Sequence, residues 1–416
     1  MAVEALWKPR IKPEHAAYRT TEGNIRIGSV IFGIGAEIKD PAGWLWTLAS
    51  GADGTRTEKA LIGHVLAGHP ELPELTEDEV GDALRQLNEA GFVEDAAAER
   101  PAALSEREAE RYSRGVPLLR WMDLSPRRNA WEAQARLKES AVLLIGLGGV
   151  GGMAAQALVA SGVGRLHCVD SDRVELSNLN RQTLYREADL GSGKVAAGVA
   201  HLQALNSDVR VTGQEARVGT PGELAALLSR PPAGAGAWDA LLLCADQPSD
   251  IRRWTNLTCL AAGVPWVDGG YRGPLITVGV YRPGRGGCYE CLRTAEYARR
   301  DLRLAPGQDE SRAAPRMAWN PVNAVTAGVA GSLMAHAVLT LLTGIPPTEP
   351  GFRFGVNLMA LDDATYTRDP ARPDCPACGT GTGQGRGRDG EEPEQRLPKA
   401  HDRAGRAGRA AGGVGR

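Results

Sequence analysis

The alternation of apolar and polar positions changes character along the chain. From about residue 140 to residue 270, short apolar runs alternate with helical segments. "AVLLIG", "RLHCVD", "VRVTGQEA", "DALLLCAD" and "VPWVDGG" predict strands, the first of the buried parallel kind, and Gly151 to Ser161 predicts the helix after it. That order predicts an α/β fold: a Rossmann-like, doubly wound, mostly parallel sheet whose ligands sit at the carboxyl ends of the strands. The first 95 residues read differently. "GNIRIGSVIFGIGAEIKD" is strand-rich, Thr55 to Glu58 and Thr76 to Glu79 are capping-box patterns, and Val80, Ala83, Leu84 and Leu87 repeat at helical spacing before Gly91 and the short strand "FVED". Strands followed by a helical pair and a wing predict a small winged-helix-like α+β domain over residues 1–95. Residues 96–110 read as a charged, alanine-rich linker or first helix and 111–379 as the α/β domain. Residues 380–416, almost without large apolar side chains, are expected to be a disordered tail.

One stretch tests the globular reading. Pro321 to Pro347 contains no Asp, Glu, Lys or Arg and is long enough to span a bilayer, but Asn323, Thr326, Ser332, His336 and several glycines dilute it. A buried core helix is the expectation, with no membrane association. The net charge of -2 gives no general pull toward nucleic acid or acidic lipid. Thr55 to Asp95 carries ten acidic residues against Arg56, Lys59 and Arg85, which excludes a phosphate backbone as partner for the N-terminal domain. The seven cysteines and the absence of an apolar core in "MAVEALWKPRIKPEH" suit the cytoplasm.

Candidate chemistry starts at "LLIGLGGVGG". Gly146, Gly148 and Gly151 match G-x-G-x-x-G, with Gly149 in the same turn, a pattern that lets backbone N–H groups approach a phosphate. "VDSD" follows, with Asp170 placed for ribose hydroxyls and Asp172 beside it. These features alone suit NAD, FAD or ATP. Asn178, Arg181 and Lys194 come next, and two cations with an amide suit a triphosphate better than a dinucleotide pyrophosphate. Asp246, at the end of "LLLCAD", is positioned to hold Mg2+ between phosphates. Cys288 and Cys291, and Cys375 and Cys378, form two C-x-x-C pairs, the spacing of a closed, structural four-cysteine zinc site. Cys168, Cys244 and Cys259 read as core thiols.

From about Arg111 to Cys378 this series of motifs resembles the E1-like adenylyltransferases of the ThiF, MoeB and HesA type. The resemblance implies ATP, Mg2+ and structural Zn2+. It makes Asp170 the ribose acid, sets Asn178, Arg181 and Lys194 on the phosphates and Asp246 on magnesium, and implies that Arg114 in "RYSR" reaches across a homodimer to the partner's ATP. Leu292 to Asp374 contains no cysteine, so a thioester relay of the kind some members use is not expected. The N-terminal domain resembles the PqqD-like leader-recognition elements of ribosomal-peptide pathways, which take a peptide as an added strand. Together these imply adenylation of a carboxyl or amide group on a ribosomally made precursor peptide. Two alternatives stand beside that reading: a sulfur-carrier adenylyltransferase of the molybdopterin or thiamin type, and a leader-binding scaffold for a cyclodehydratase.

Overall fold

A computed structural model describes residues 8–309, 313, 317, 319–362 and 364–379; the tail expected from residue 380 onward lies outside them. The N-terminal unit comprises β1 (Pro9–Ile11), β2 (Tyr18–Arg19), β3 (Ile25–Ile27), β4 (Ala36–Ile38), α1 (Trp44–Gly51), α2 (Glu58–Gly68), α3 (Glu77–Glu89) and β5 (Val93–Asp95). β2, β3 and β4 form one antiparallel sheet, and β1 pairs with β5. The capping box at Thr76 is formed as expected, with Glu79 returning to the Thr76 amide. At α2 the cap is Thr57, whose hydroxyl accepts from the Ala60 amide, while Thr55 turns back to Asp53. The Thr55–Glu58 box is therefore displaced by the competing local aspartate. Val80, Leu84 and Leu87 of α3 meet Leu61 and Val65 of α2 and Leu48 of α1 in the core of this unit.

The second unit begins with α4 (Glu106–Tyr112), α5 (Gly115–Met122) and α6 (Trp131–Glu139). Ser105 caps α4 with a complete capping box, so the segment read as linker or first helix turns helical at Glu106. β6 (Ala141–Ile145), α7 (Gly149–Ala160), β7 (Arg165–Asp170), α8 (Lys194–Leu205), β8 (Arg210–Glu215), α9 (Pro221–Leu228), β9 (Ala240–Leu243), α10 (Ile251–Ala262) and β10 (Trp266–Arg272) follow. β11 (Leu275–Tyr281), α11 (Tyr289–Arg299), α12 (Ala324–Thr343), β12 (Phe352–Asn357) and β13 (Ala364–Arg368) complete it. Among the described residues these strands make an eight-stranded sheet in the order β13-β12-β11-β10-β9-β6-β7-β8, parallel from β10 to β8 and antiparallel from β10 to β13.

Every side chain of β6 is buried, as an apolar strand covered on both faces must be. α7 and α12 cover one face, and α12 is the apolar stretch that raised the membrane question. It lies against α7 closely enough that a Cβ on Gly331 would fall 2.5 Å from the Val150 carbonyl oxygen. Ala327, Ala330, Met334, Ala335 and Val338 are buried along it, which makes it a packed core helix.

The two units are clasped together by charge and by close backbone contact. Arg120 of α5 makes a bidentate pair with Glu14 (2.7 and 2.8 Å) and also reaches Glu94. The buried Lys12 ammonium donates to the Asp123 carbonyl oxygen at 2.6 Å. Gly91 sits at φ +76°, and a Cβ there would lie 2.3 Å from the Leu124 carbonyl carbon. Leu124 itself packs against the N-terminal core.

Gly91→Ala combines a left-handed backbone with a clash against main chain, and should cost more than about 1 kcal/mol. Thermal melts should show that loss, and limited proteolysis should find the junction near Leu124 opened. His15 is fully buried at the same interface, with its ring 5.5 Å from that of Phe92. Burial, and then the Lys12 charge, hold its pKa below the ordinary value. A depressed histidine pKa means the unfolded chain takes the proton first, so its contribution to stability is present above about pH 6.5 and lost below it. Urea titrations from pH 7.5 to pH 5 should show that slope in the wild type and a flatter one in His15→Leu.

Candidate nucleotide and metal sites

The glycine turn between β6 and α7 is shaped by crowding. Gly146 has φ +95°, and a Cβ on Gly151 would fall 1.8 Å from the Gly146 carbonyl oxygen. Only glycine allows the helix to start this close to the strand. α7 opens after Gly148, and a Cβ on Gly149 would approach the Arg181 carbonyl oxygen at 3.0 Å. A helix N-terminus at the carboxyl end of a parallel sheet is a natural seat for an anion.

Asp170 ends β7 and fixes the turn. Its carboxylate accepts from the Leu147 amide at 2.6 Å and from the Asp172 amide at 2.8 Å. Asp172 in turn pairs with the Lys194 ammonium at 2.8 Å, and its carbonyl oxygen accepts from the Lys194 amide. Lys194 is nearly buried at the start of α8, whereas the Asp172 side chain is mostly exposed. Asn178 is buried, and its side-chain oxygen accepts from the Glu175 amide, closing the short turn that leads to Arg181. The Arg181 guanidinium donates to the Ser177 carbonyl oxygen and the Asn180 side chain, and it also meets the Tyr271 hydroxyl on β10. Burial raises the Tyr271 pKa, so the phenol stays protonated.

Asp246 leaves the end of β9 with its side chain 74% exposed, and its Oδ1 accepts from Arg252 at 2.6 Å. A single exposed carboxylate beside a phosphate seat fits Mg2+, which keeps several waters and uses one or two protein oxygens. Sequence reasoning missed what lies behind it. Arg252 also donates through Nε to Asp268 at 3.1 Å, and Asp268 is fully buried. Arg353 approaches Asp268 and pairs with Glu296 at 3.3 Å. Burial opposes the Arg252 charge, but Asp246 and Asp268 outweigh it and hold the guanidinium charged. The aspartate inside the apolar strand "VPWVDGG" was the one available signal.

The structure brings Gly146, Gly148, Gly149, Gly151, Asp170, Asp172, Asn178, Arg181 and Lys194 around one turn, with Asp246 on the loop after β9, the strand two places along the sheet from β7. Arg114 is apart from them. It stands exposed before α5, next to Tyr112, whose ring lies against Gly162 at the far end of α7. A twelve-residue helix separates the two positions by about 18 Å.

The four paired cysteines meet under α10 and α11. Their sulfurs all lie within 4.8 Å of one another, with separations of 3.8 Å for Cys288–Cys291, 3.7 Å for Cys288–Cys375 and 3.5 Å for Cys291–Cys378. A tetrahedral site with zinc–sulfur bonds of about 2.3 Å requires sulfur separations of about 3.8 Å, so the donor set fits zinc. The Asn256 amide reaches Cys288 Sγ at 3.6 Å. Elsewhere, burial pushes the Cys168 thiol up to about 12 and those of Cys244 and Cys259 higher, as befits core thiols.

Residues 123–377 match the model of the ThiF family. The bovine (Bos taurus) adenylyltransferase and sulfurtransferase MOCS3 is 34% identical over 67% of this chain, which spans 55% of that relative's length. The molybdopterin-synthase adenylyltransferase of Escherichia coli is 39% identical over 46% of this chain and 70% of its own. The sulfur carrier protein adenylyltransferase of Thermus thermophilus is 34% identical over 60% and 85%. Among solved structures, E. coli MccB superposes with a TM-score of 0.68 at 21% identity, covering 91% of this chain and 99% of its own, a likeness of fold that takes in the N-terminal unit. These relatives overturn the expected precursor-peptide substrate: they are named as a sulfurtransferase, a molybdopterin-synthase adenylyltransferase and a sulfur carrier protein adenylyltransferase, which favours the first of the two alternatives. The chain belongs to the ThiF family.

Proposed function

We propose that this chain activates the terminal carboxylate of a small ubiquitin-like sulfur-carrier protein as its acyl-adenylate. The observation that carries the reading is the sequence likeness to sulfur-carrier and molybdopterin-synthase adenylyltransferases. The cluster of Asp170, Lys194 and Arg181 around the glycine turn supports it. A carrier carboxylate oxygen attacks the α-phosphorus of ATP, the bond from that phosphorus to the bridging oxygen breaks, and pyrophosphate leaves. The carboxylate is already ionised, so no general base is needed. The chain's work is positioning and charge neutralisation.

In this reading Asp170 orients the turn and accepts from the ribose, while Arg181, Lys194 and Asn178 hold the phosphates. Asp246 would hold Mg2+, which supplies charge neutralisation on the phosphate oxygens. The cysteine cluster would hold one structural zinc. The finer organisation belongs to the same proposal: a winged-helix-like domain over residues 1–95, a linker that ends where α4 begins at Glu106, and a homodimer in which Arg114 serves the partner's nucleotide. With no cysteine in Leu292 to Asp374 and the core thiols protonated, the adenylate passes to a nucleophile from another protein.

Exchange of pyrophosphate into ATP should therefore require a carrier with a free terminal carboxylate, and a carrier amidated at that terminus should give none. Lys194→Ala should lower exchange by about a hundredfold or more, the scale of losing one fixed charge partner in a transition state. Exchange with the amidated carrier at the normal rate would exclude carboxylate activation.

Elemental analysis should find one zinc per chain. Cys375→Ser, which leaves three thiolates, should lower the melting temperature and release the metal, since metal binding contributes to folding. A metal-free protein of undiminished stability would remove zinc from the fold.

A further inference from the structure

Resting on the adenylation reading, we propose that Arg252 is a positioning residue for the nucleotide's metal: anchored by buried Asp268, it fixes Asp246 so that one carboxylate oxygen stays aimed at the cation. Asp246 is a mostly exposed side chain on a loop, and a free carboxylate there would lose rotamer entropy on taking a metal. Arg252 removes that freedom beforehand. It occupies the second position of α10 and uses two edges of its guanidinium at once, Nη2 to Asp246 Oδ1 at 2.6 Å and Nε to Asp268 Oδ2 at 3.1 Å. The planar fork suits this double task, and an ammonium does not. Asp246 Oδ1 is taken by the arginine, so Oδ2 is the oxygen left for a cation.

The anchor is itself braced. Asp268 has no exposed surface, and Arg353 lies 4.0 Å from the oxygen that Arg252 uses. Arg353 is tied to Glu296 on α11. Burying this series of charges is costly unless the geometry is kept, and geometry kept for Asp268 is passed on to Asp246. A purely structural role, pinning α10 to β10, would also explain the Asp268 contact. It would not explain why the same guanidinium extends to an exposed carboxylate at the mouth of the phosphate seat.

The two roles separate by measurement. Mn2+, read by electron paramagnetic resonance, is titrated into full-length protein saturated with α,β-methylene-ATP; nucleotide affinity without metal and the melting temperature are taken on the same samples. Arg252→Lys keeps the charge but cannot span both carboxylates. It should weaken Mn2+ binding by at least about tenfold, the scale of losing a partner that orients a metal ligand. Metal-free nucleotide affinity should change less than about twofold, well within the tenfold that corresponds to 1.4 kcal/mol. Arg252→Met with Asp268→Asn removes the buried pair together and should show the same metal defect, and Asp246→Asn should cost less on the Arg252→Lys background than in the wild type, because both act through one carboxylate. Unchanged Mn2+ affinity in Arg252→Lys and in the double variant, whatever happens to the melting temperature, overturns the proposal. A wild-type protein that binds no nucleotide at all overturns the adenylation reading instead, so the two failures are distinct.

Discussion

Everything in the α/β half depends on one close approach of backbone to backbone. α7 starts so near the end of β6 that Gly151 presses on the Gly146 carbonyl, and no side chain could stand between them. The Asp170 carboxylate then holds the Leu147 amide and ties this turn to the neighbouring strand. From that fixed point the other parts take their places: Asp172 meets Lys194, the Arg181 loop passes over Gly149, and β9 delivers Asp246. The Tyr185 hydroxyl closes the underside by donating to the Leu147 carbonyl oxygen at 2.9 Å. A loosened turn would misplace all of them together.

The signals legible in the sequence were those with a short period or a short range. Apolar runs gave β6, β7 and β9, glycine spacing gave the turn, Thr76 gave the start of α3, and two C-x-x-C pairs gave a cluster whose halves lie 87 residues apart. Local competition misled the Thr55 box, since Asp53 takes that hydroxyl before the helix begins. The ionic series from Asp246 through Arg252 and Asp268 to Arg353 was not legible, because each member is ordinary in its own segment and only the antiparallel half of the sheet brings Arg353 beside Asp268. The substrate was misread for a related reason. Strands, helices and a terminal strand in a small acidic unit describe a shape, and a shape does not name what it binds.

The N-terminal unit also proved less separable than its composition suggests. Lys12, Glu14, Ser29 and Glu94 all engage the segment from Arg120 to Asp123, and Trp121 donates to Ser29. Buried charges at a domain junction fix orientation more than they add stability, because desolvation offsets most of their attraction. α5 is consequently gripped at its carboxyl end by one unit while Arg114 stands before its amino end.

α10 works as a ruler. Arg252 and Asn256 are four residues apart and so share one face of the helix, yet the first attends to Asp246 beyond the end of β9 and the second to the thiol cluster. The span between the Asp246 carboxylate and the thiol cluster is thereby set by a count of peptide units. Inserting one residue between them would turn everything downstream by about 100°, and drift in sequence can change nearly any other surface position of this helix more freely than its length.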